Sequence, residues 1–429
     1  MRSDRKMKKL LVLGGTQISC EIVRQARKMG IFVGVTDYNK FEDSPGKRIA
    51  DAHHMVSCTD VDEVVELIEA GGYDGIITGF NDMLLPYYAD ICIKAGKLCY
   101  GTKEQFELFT DKGKYKKLLK EYDIPVVDDY SDIAATVGTK DLLFPVVVKP
   151  SDNSGSRGVT ICKNEDEFER AYKEARDKSK NDKVIVERYM DGKEATVFWL
   201  FINGEYYLCG IGNRHCNGFQ EGCIPLPVGY TFPSILTDKY IEVVEPKAKE
   251  MFKDIGIQNG IMFMQCKVED GNCFVYDLGY RLTGSLEYKL FEKCCGYNPL
   301  AMMIDYAVGN KVSYDGIAVD PFFGGLYPYN VSVLCRPGYI EKVEGIEDVR
   351  KMDGVCDVVI EHKGGEEISE RMKGLLAQIS VRVLGATERR ESLIPIMNEI
   401  EDKLKIISDK GEDLVFGRMS TNDIHMVRA

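Results

Sequence analysis

The sequence predicts a three-part α/β and α+β protein, with a doubly wound parallel sheet first and two mixed α+β regions after it. Three observations carry this. Strand-like and helix-like runs alternate from residue 9 to residue 101, the pattern of a parallel sheet covered by helices. From about residue 111 the alternation gives way to strands joined by tight turns around a few helices. The chain has 429 residues, 44% hydrophobic and 29% charged, enough for about three domains with substantial cores.

In chain order, KLLVLGG (9–15) reads as a buried strand. TQISCEIVRQARKMG follows with Ile18, Ile22, Val23, Ala26 and Met29 on one helical stripe, and Gly30 stops it. IFVGVTD is a second strand. Asp60 and Glu63 form a capping-box pair ahead of a helix through Val64, Val65 and Ile68. YDGIITGF is a third strand, and LLPYYADICIKAG another helix. Past residue 111 come the helix DKGKYKKLLKEYDIP, the strands FPVVVKP and GVTIC, the helix EDEFERAYKEARDKSK and the strand KVIVERYM. A meander runs from Ala195 to Gly212, and a Gly- and Pro-rich functional loop from His215 to Pro233. One helix is expected near Asp238 to Ile255, then the strands IMFMQCKVEDG and NCFVYDLGYR. The third region, from about 320, holds PGYIEKVEG, VCDVVIEHKGG and QISVRVLGAT.

Composition excludes some functions. With 56 basic against 68 acidic residues the net charge is −12, which argues against a nucleic-acid or anionic-membrane surface. Fourteen scattered cysteines without a Cys-x-x-Cys pair read as reduced thiols of a cytoplasmic protein. MRSDRKMKKL runs straight into a short strand, so no signal peptide is expected, and no run of eighteen apolar residues marks a membrane span.

Four stretches carry chemistry. In GGTQIS, Gly14 and Gly15 precede Thr16 and Ser19, where a dinucleotide fingerprint wants further glycines. Only Asp37, at the end of the second strand, fits that fingerprint, so a purely structural sheet is the better reading. KPSDNSGSRGV (149–159) sets a lysine at a strand end before serines and glycines, whose N–H and hydroxyl groups can converge on phosphate oxygens. A solvated hairpin turn explains that window equally well. VIVERYMDGKEATV places Glu187 and Glu194 seven apart, able to flank a nucleotide, with the Arg188 and Met190 peptide groups at an adenine edge and Glu194 at ribose. A surface hairpin is its plainer account. Gln265 and Asp277 lie on consecutive strands that can bring both to one metal or phosphate site, followed by Gly279 and Arg281. The trio His215, Cys216 and Cys223 has no second ligand pair near it, so zinc is a minor alternative there.

Taken in this order, TDKGKYKKLLKEYDIP, FPVVVKPSDNSGSRGV, VERYMDGKE and FVYDLGYRLTG resemble the ATP-grasp enzymes, closest to the carbamoyl-phosphate-synthetase-like and L-amino-acid-ligase branches. The resemblance runs from about Lys9 to about Ile406. It implies a Rossmann-like domain over 1–110, an ATP-grasp domain over 111–319 with a mobile lid about 126–190, and a small α+β domain over 320–429. It also implies ATP and Mg²⁺ as cofactors, with Mn²⁺ able to stand in, and a homodimer as the usual habit. Lys112 and Lys149 should touch ATP phosphates, and Ser154, Gly155, Ser156, Arg157 and Gly158 should close over them. Glu187, Arg188 and Met190 should line the adenine slot, and Glu194 should hold ribose. Arg214 should face phosphate, Asp277 should bind Mg²⁺, and Arg281 should hold a substrate carboxylate or acyl phosphate; Lys149 and Arg281 are the expected catalytic pair. Two positions depart from the pattern: Gln265 stands where a second metal carboxylate is usual, and Gly279 where an asparagine is. An amide brings no charge to a metal.

The implied reaction joins a small-molecule carboxylate to an amine through an acyl phosphate. Alternatives are a carboxylase or carbamoyl-phosphate-type enzyme, and a non-catalytic ATP-binding regulator with a degenerate metal site. No Ala-Met-Lys-Met carrier motif is present.

Overall fold

The computed structural model describes residues 7–136, 139, 141–151, 158–179, 182–220, 223–310 and 317–429. The first sheet is parallel and has the order β3-β2-β1-β4, from β1 (Lys9–Leu13), β2 (Phe32–Thr36), β3 (Ala52–His54) and β4 (Gly75–Ile77). The expected apolar stripe packs the helix Ser19–Lys28 onto it: Ile22, Val23 and Ala26 are buried, Ile18 and Met29 partly so. Gly30 follows with φ +75°, a conformation that costs an L residue strain. Asp60 caps the helix Val61–Gly71 by accepting from the Glu63 N–H.

A three-stranded antiparallel sheet comes next, β6-β5-β7, from β5 (Val146–Pro150), β6 (Thr160–Cys162) and β7 (Val184–Arg188). The helix Glu165–Lys178 covers it through Phe168, Ala171 and Ala175, giving this unit its own small core.

The largest sheet takes β8 (Glu194–Ile202), β9 (Glu205–His215), β10 (Gly229–Thr231), β11 (Gly260–Glu269), β12 (Asn272–Gly279) and β13 (Tyr327–Cys335). After β14 (Gly338–Glu344) it takes β15 (Val355–Ile360) and, past β16 (Glu367–Ile368), β17 (Ile379–Thr387). Its order is β12-β11-β8-β9-β10-β13-β17-β15, with β19 (Val415–Phe416) on β13. β14, β16 and β18 (Lys405–Ser408) form a separate small sheet. Strands beyond residue 320 thus continue the sheet begun before it.

Two elements differ from expectation. The helix expected near 238–255 is two, Thr237–Val243 and Glu245–Asp254. Pro246, which lacks an N–H, sits at the start of the second, where that loss is harmless. β13 was not anticipated, although Tyr327, Tyr329, Val331 and Val333 alternate with Pro328, Asn330 and Ser332; Pro328, which cannot donate to a ladder, argues against a central strand there. One apolar core joins the first domain to the large sheet, with Tyr100, Phe106 and Phe201 meeting around Tyr280.

Candidate active site

A cavity of about 270 Å³ opens between the small β5–β7 sheet and the large sheet. It draws together Lys112, Lys149, Glu187, Arg188, Met190, Glu194, Arg214, Gln265, Asp277 and Arg281, all of them expected site residues; Lys149, Glu187 and Arg188 come from the small sheet, and Glu194, Arg214, Gln265 and Asp277 from the large one. Gly158 is described but does not line it, and Ser154, Gly155, Ser156 and Arg157 lie outside the described residues.

Strand register explains the large-sheet wall. Gln265 pairs with Thr196 on one side and Asp277 on the other; two residues on, Lys267 faces Glu194, Glu194 faces Arg214, and Arg214 faces Tyr230. Directly opposed residues share a face, so this row points into the cleft. A bulge between Gln265 and Cys266 shifts the β12 register. Consecutive residues Tyr276 and Asp277 therefore both reach the cavity, which a regular strand forbids.

The lysines are held by acids. Glu187, 4% exposed at its side chain, accepts from Lys149 at 2.6 Å with one oxygen and from Lys116 with the other. Burial would lift this carboxyl, but Lys149 and Lys116 outweigh it and hold it at about 2. Burial pushes the Lys149 ammonium down to about 8; Glu187 opposes that shift, and the charges of Lys112 and Lys116 add to it. Lys112 pairs with Asp277; burial would lift that carboxyl too, but Lys112 outweighs it and keeps it below its ordinary range.

Several side chains are used differently from expectation. Both Glu187 oxygens accept from lysines, Lys116 and Lys149. The Arg188 side chain pairs with Glu269 at 2.7 Å, and its backbone N–H donates to the Asp128 carbonyl at 3.0 Å. Arg214 pairs with Glu194 and donates from Nε to the Tyr230 hydroxyl at 3.0 Å. Glu194 also accepts from Lys267 at 2.8 Å and the Tyr276 hydroxyl at 2.9 Å, so one ribose hydroxyl is the most its free lone pairs admit. Arg281 is clamped by Asp82 of the first domain, Nε to Oδ1 at 2.6 Å and Nη2 to Oδ2 at 2.5 Å, over the Phe263 ring at 5.0 Å. Among the dinucleotide-fingerprint residues, Asp37 accepts from Gly15 N and Ser44 and pairs with buried Lys47, a structural use. His215 faces Thr231 at 2.8 Å and Asp423, and Cys216 faces Arg214, so no zinc trio assembles.

Sequence reasoning missed Lys116, Lys267, Tyr276, Tyr230 and Asp82. Lys116 had a signal: it lies four residues after Lys112 on one helix face. Asp82 had none, being 199 residues from its partner.

For Mg²⁺, no group of three or more His, Cys, Asp or Glu side chains suited to a metal occurs among the described residues. One carboxylate, Asp277, sits beside the Gln265 amide. That set suits a cation carried in by phosphates, which Mg²⁺ prefers, and not a cage made by protein alone. Gly279 also has a packing cause: a Cβ there would lie 2.5 Å from the Phe263 ring that stacks under Arg281.

Residues 142–286 match the ATP-grasp domain family. The chain carries an ATP-grasp domain. Over 402 residues it is 24% identical to the 2-oxoglutarate carboxylase small subunit of Hydrogenobacter thermophilus, covering 87% of this chain and 82% of that one. It is also 24% identical over 266 residues to the carbamoyl phosphate synthase large chain of Clostridium acetobutylicum, 61% of this chain but only 24% of that much longer one. The solved L-amino acid ligase of Bacillus licheniformis superposes with a TM-score of 0.76 at 20% identity, covering 94% and 99% of the two chains. The biotin carboxylase domain dimer of the H. thermophilus 2-oxoglutarate carboxylase, holding MgADP, ADP and bicarbonate, superposes at 0.74 with 21% identity, covering 97% and 94%. The overall architecture is therefore shared with these structures along nearly the whole chain, and MgADP is what the H. thermophilus domain holds. No helix among the described residues is long and apolar enough to cross a membrane.

Proposed function

We propose that this ATP-grasp protein is a carboxylate–amine ligase that forms an amide through an acyl phosphate. ATP-dependent ligase- or carboxylase-type chemistry is the ground its relatives share. What supports the finer reading is one cavity that brings together two phosphate-reaching lysines, Asp277 and Arg281.

A carboxylate oxygen attacks the γ-phosphorus and ADP leaves, giving an acyl phosphate. The amine attacks its carbonyl carbon, phosphate departs through a tetrahedral intermediate, and the nitrogen loses its proton. Lys112 and Lys149 hold the phosphates, and Glu187 holds Lys149 in place. Arg281 orients the carboxylate once its fork is shared between Asp82 and substrate. The walls exclude water from the intermediate. Asp277 and Gln265 would hold Mg²⁺, which when bound neutralises developing phosphate charge.

The test is Mg²⁺-dependent ADP release with pooled carboxylates and amines, and separately with bicarbonate, with mass spectrometry of products. ADP formed only when acid and amine are both present, with a product of their summed mass less water, supports the ligase. Release with bicarbonate alone points to the carboxylase reading. ATP binding with no release under any condition overturns catalysis in favour of a nucleotide-binding regulator. Replacing Gln265, which lines the cavity, by Glu adds a second carboxylate, and the half-saturating Mg²⁺ concentration should fall by about tenfold, read by titrating Mg²⁺ at saturating ATP. Adding Asn at position 279 is not a useful partner to this change, because the Phe263 ring fills that space.

A further inference from the structure

The first domain holds Tyr280, Arg281 and Leu282 in a row. Tyr280 and Tyr100 exchange two hydrogen bonds, each hydroxyl donating to the other's carbonyl at 3.0 Å. The Leu282 N–H donates to the Gly79 carbonyl at 3.1 Å. Between them, Arg281 gives Nε and Nη2 to the two oxygens of Asp82, at 2.6 and 2.5 Å. Asp82 starts a short turn after β4, and Asn81 accepts from the Met83 N–H at 3.0 Å to hold that turn. β4 lies beside β1, where the strand order reverses, and such sheets put their ligand-side loops outside those strand ends.

The backbone on either side of Arg281 is therefore fixed without Asp82. So is the joint between the two parts, which is closed by apolar packing around Tyr280. What Asp82 adds is the direction of one side chain. Arg281 lines the cavity and Asp82 does not. Of the five guanidinium N–H groups, Asp82 takes two and the Leu282 carbonyl a third, from Nη1 at 2.8 Å. One N–H on each Nη remains, away from the edge that Asp82 holds. Asp277 is another acid whose charge acts on Arg281. Without Asp82 the guanidinium has Asp277 as its alternative partner, and that pairing would take both groups away from a bound substrate. Of the cavity's other large-sheet arginines, Arg214 is committed to Glu194, and Arg382, on β17, donates to Ser332 Oγ at 3.0 Å. Arg281 is the one aimed from another domain.

We propose that Asp82 is a positioning residue for the reaction, holding the Arg281 guanidinium by one edge so that the other edge meets the substrate carboxylate. The first domain then serves the site by aiming a side chain of its neighbour, with the loop after β4 as the mount. This rests on the ligase reading and adds to it a residue outside the cavity.

The test separates carboxylate use from ATP binding. Wild-type protein, ATP, Mg²⁺ and pooled small carboxylates are given hydroxylamine, which displaces phosphate from an acyl phosphate and leaves a hydroxamate. Absence of hydroxamate with every carboxylate overturns the ligase reading and this proposal with it. With a carboxylate identified, Asp82→Asn keeps the size of the side chain and removes the charge that grips the fork. Its KM for the carboxylate should rise by about 10–100-fold, the scale of one lost charge-assisted fork. Its ATP dissociation constant, read by calorimetry, should stay within about threefold of wild type. Asp82→Glu should recover part of the loss, because it keeps the charge and shifts it by a methylene. Hydroxamate formation with an unchanged carboxylate KM in Asp82→Asn overturns the positioning role and leaves the ligase reading standing. A lower KM does the same, by making Asp82 a competitor that substrate must displace. So does an equal weakening of ATP and carboxylate, which marks a structural tie between domains. Should Asp82→Asn fail to fold, Asp82→Glu decides alone. A carboxylate KM raised by about threefold or more at wild-type ATP affinity supports the role, and a wild-type KM overturns it.

Discussion

Lys149→Ala lowers kcat by about 10²–10³-fold, the effect of removing one preorganised donor from transferring phosphate charge. Lys149 is buried at the end of β5, lines the cavity and is aimed by Glu187 at 2.6 Å. Its ammonium is held down near 8, chiefly by burial. It therefore carries its proton below about pH 8 and sheds it above. Because binding of anionic phosphate needs the charged form, kcat/KM for ATP should fall as pH rises through about 8. That limb belongs to the free protein and should vanish in the alanine variant. Turnover within threefold of the parent would count against the assignment.

Glu187→Gln destabilises the fold by about 3–5 kcal/mol, the cost of leaving buried cations without their counter-charge. Lys116 and Lys149 both rest on this one carboxylate, with Lys116 otherwise reaching Asp129 only at 3.6 Å. Isothermal denaturation should show a lower midpoint with an unchanged slope, since packing is kept and only charge is lost. A midpoint equal to wild type would mean that the lysines reach solvent or deprotonate at little cost. Lys149→Ala, which leaves Lys116 on Glu187, should be clearly milder in the same measurement.

Much of this site was legible because its residues sit in local motifs. Lys112 and Lys149 flank recognisable helix and strand ends, and Gln265 and Asp277 pair across one short hairpin. What was hidden depends on geometry that no local pattern encodes. The bulge after Gln265 admits Tyr276 to the cleft beside Asp277. The Asp82–Arg281 clamp joins residues 199 apart in sequence. Pro328 argues against a central strand at β13 despite the alternation of Tyr329, Val331 and Val333 with Asn330 and Ser332, and without β13 the large sheet stops at β10. Fold class was easier than side-chain use, because periodicity reports burial while partner choice depends on who is opposite.

The unbroken hydrogen-bond ladder from β12 through β13 to β17 has one more consequence. Six strand-to-strand steps separate Asp277 from Arg382. At about 4.8 Å each, that is roughly 29 Å measured along the sheet. Loops can reshape the mouth of the cleft without changing this count. The ladder is a ruler, and a molecule bound across it is gauged by how many strands it bridges.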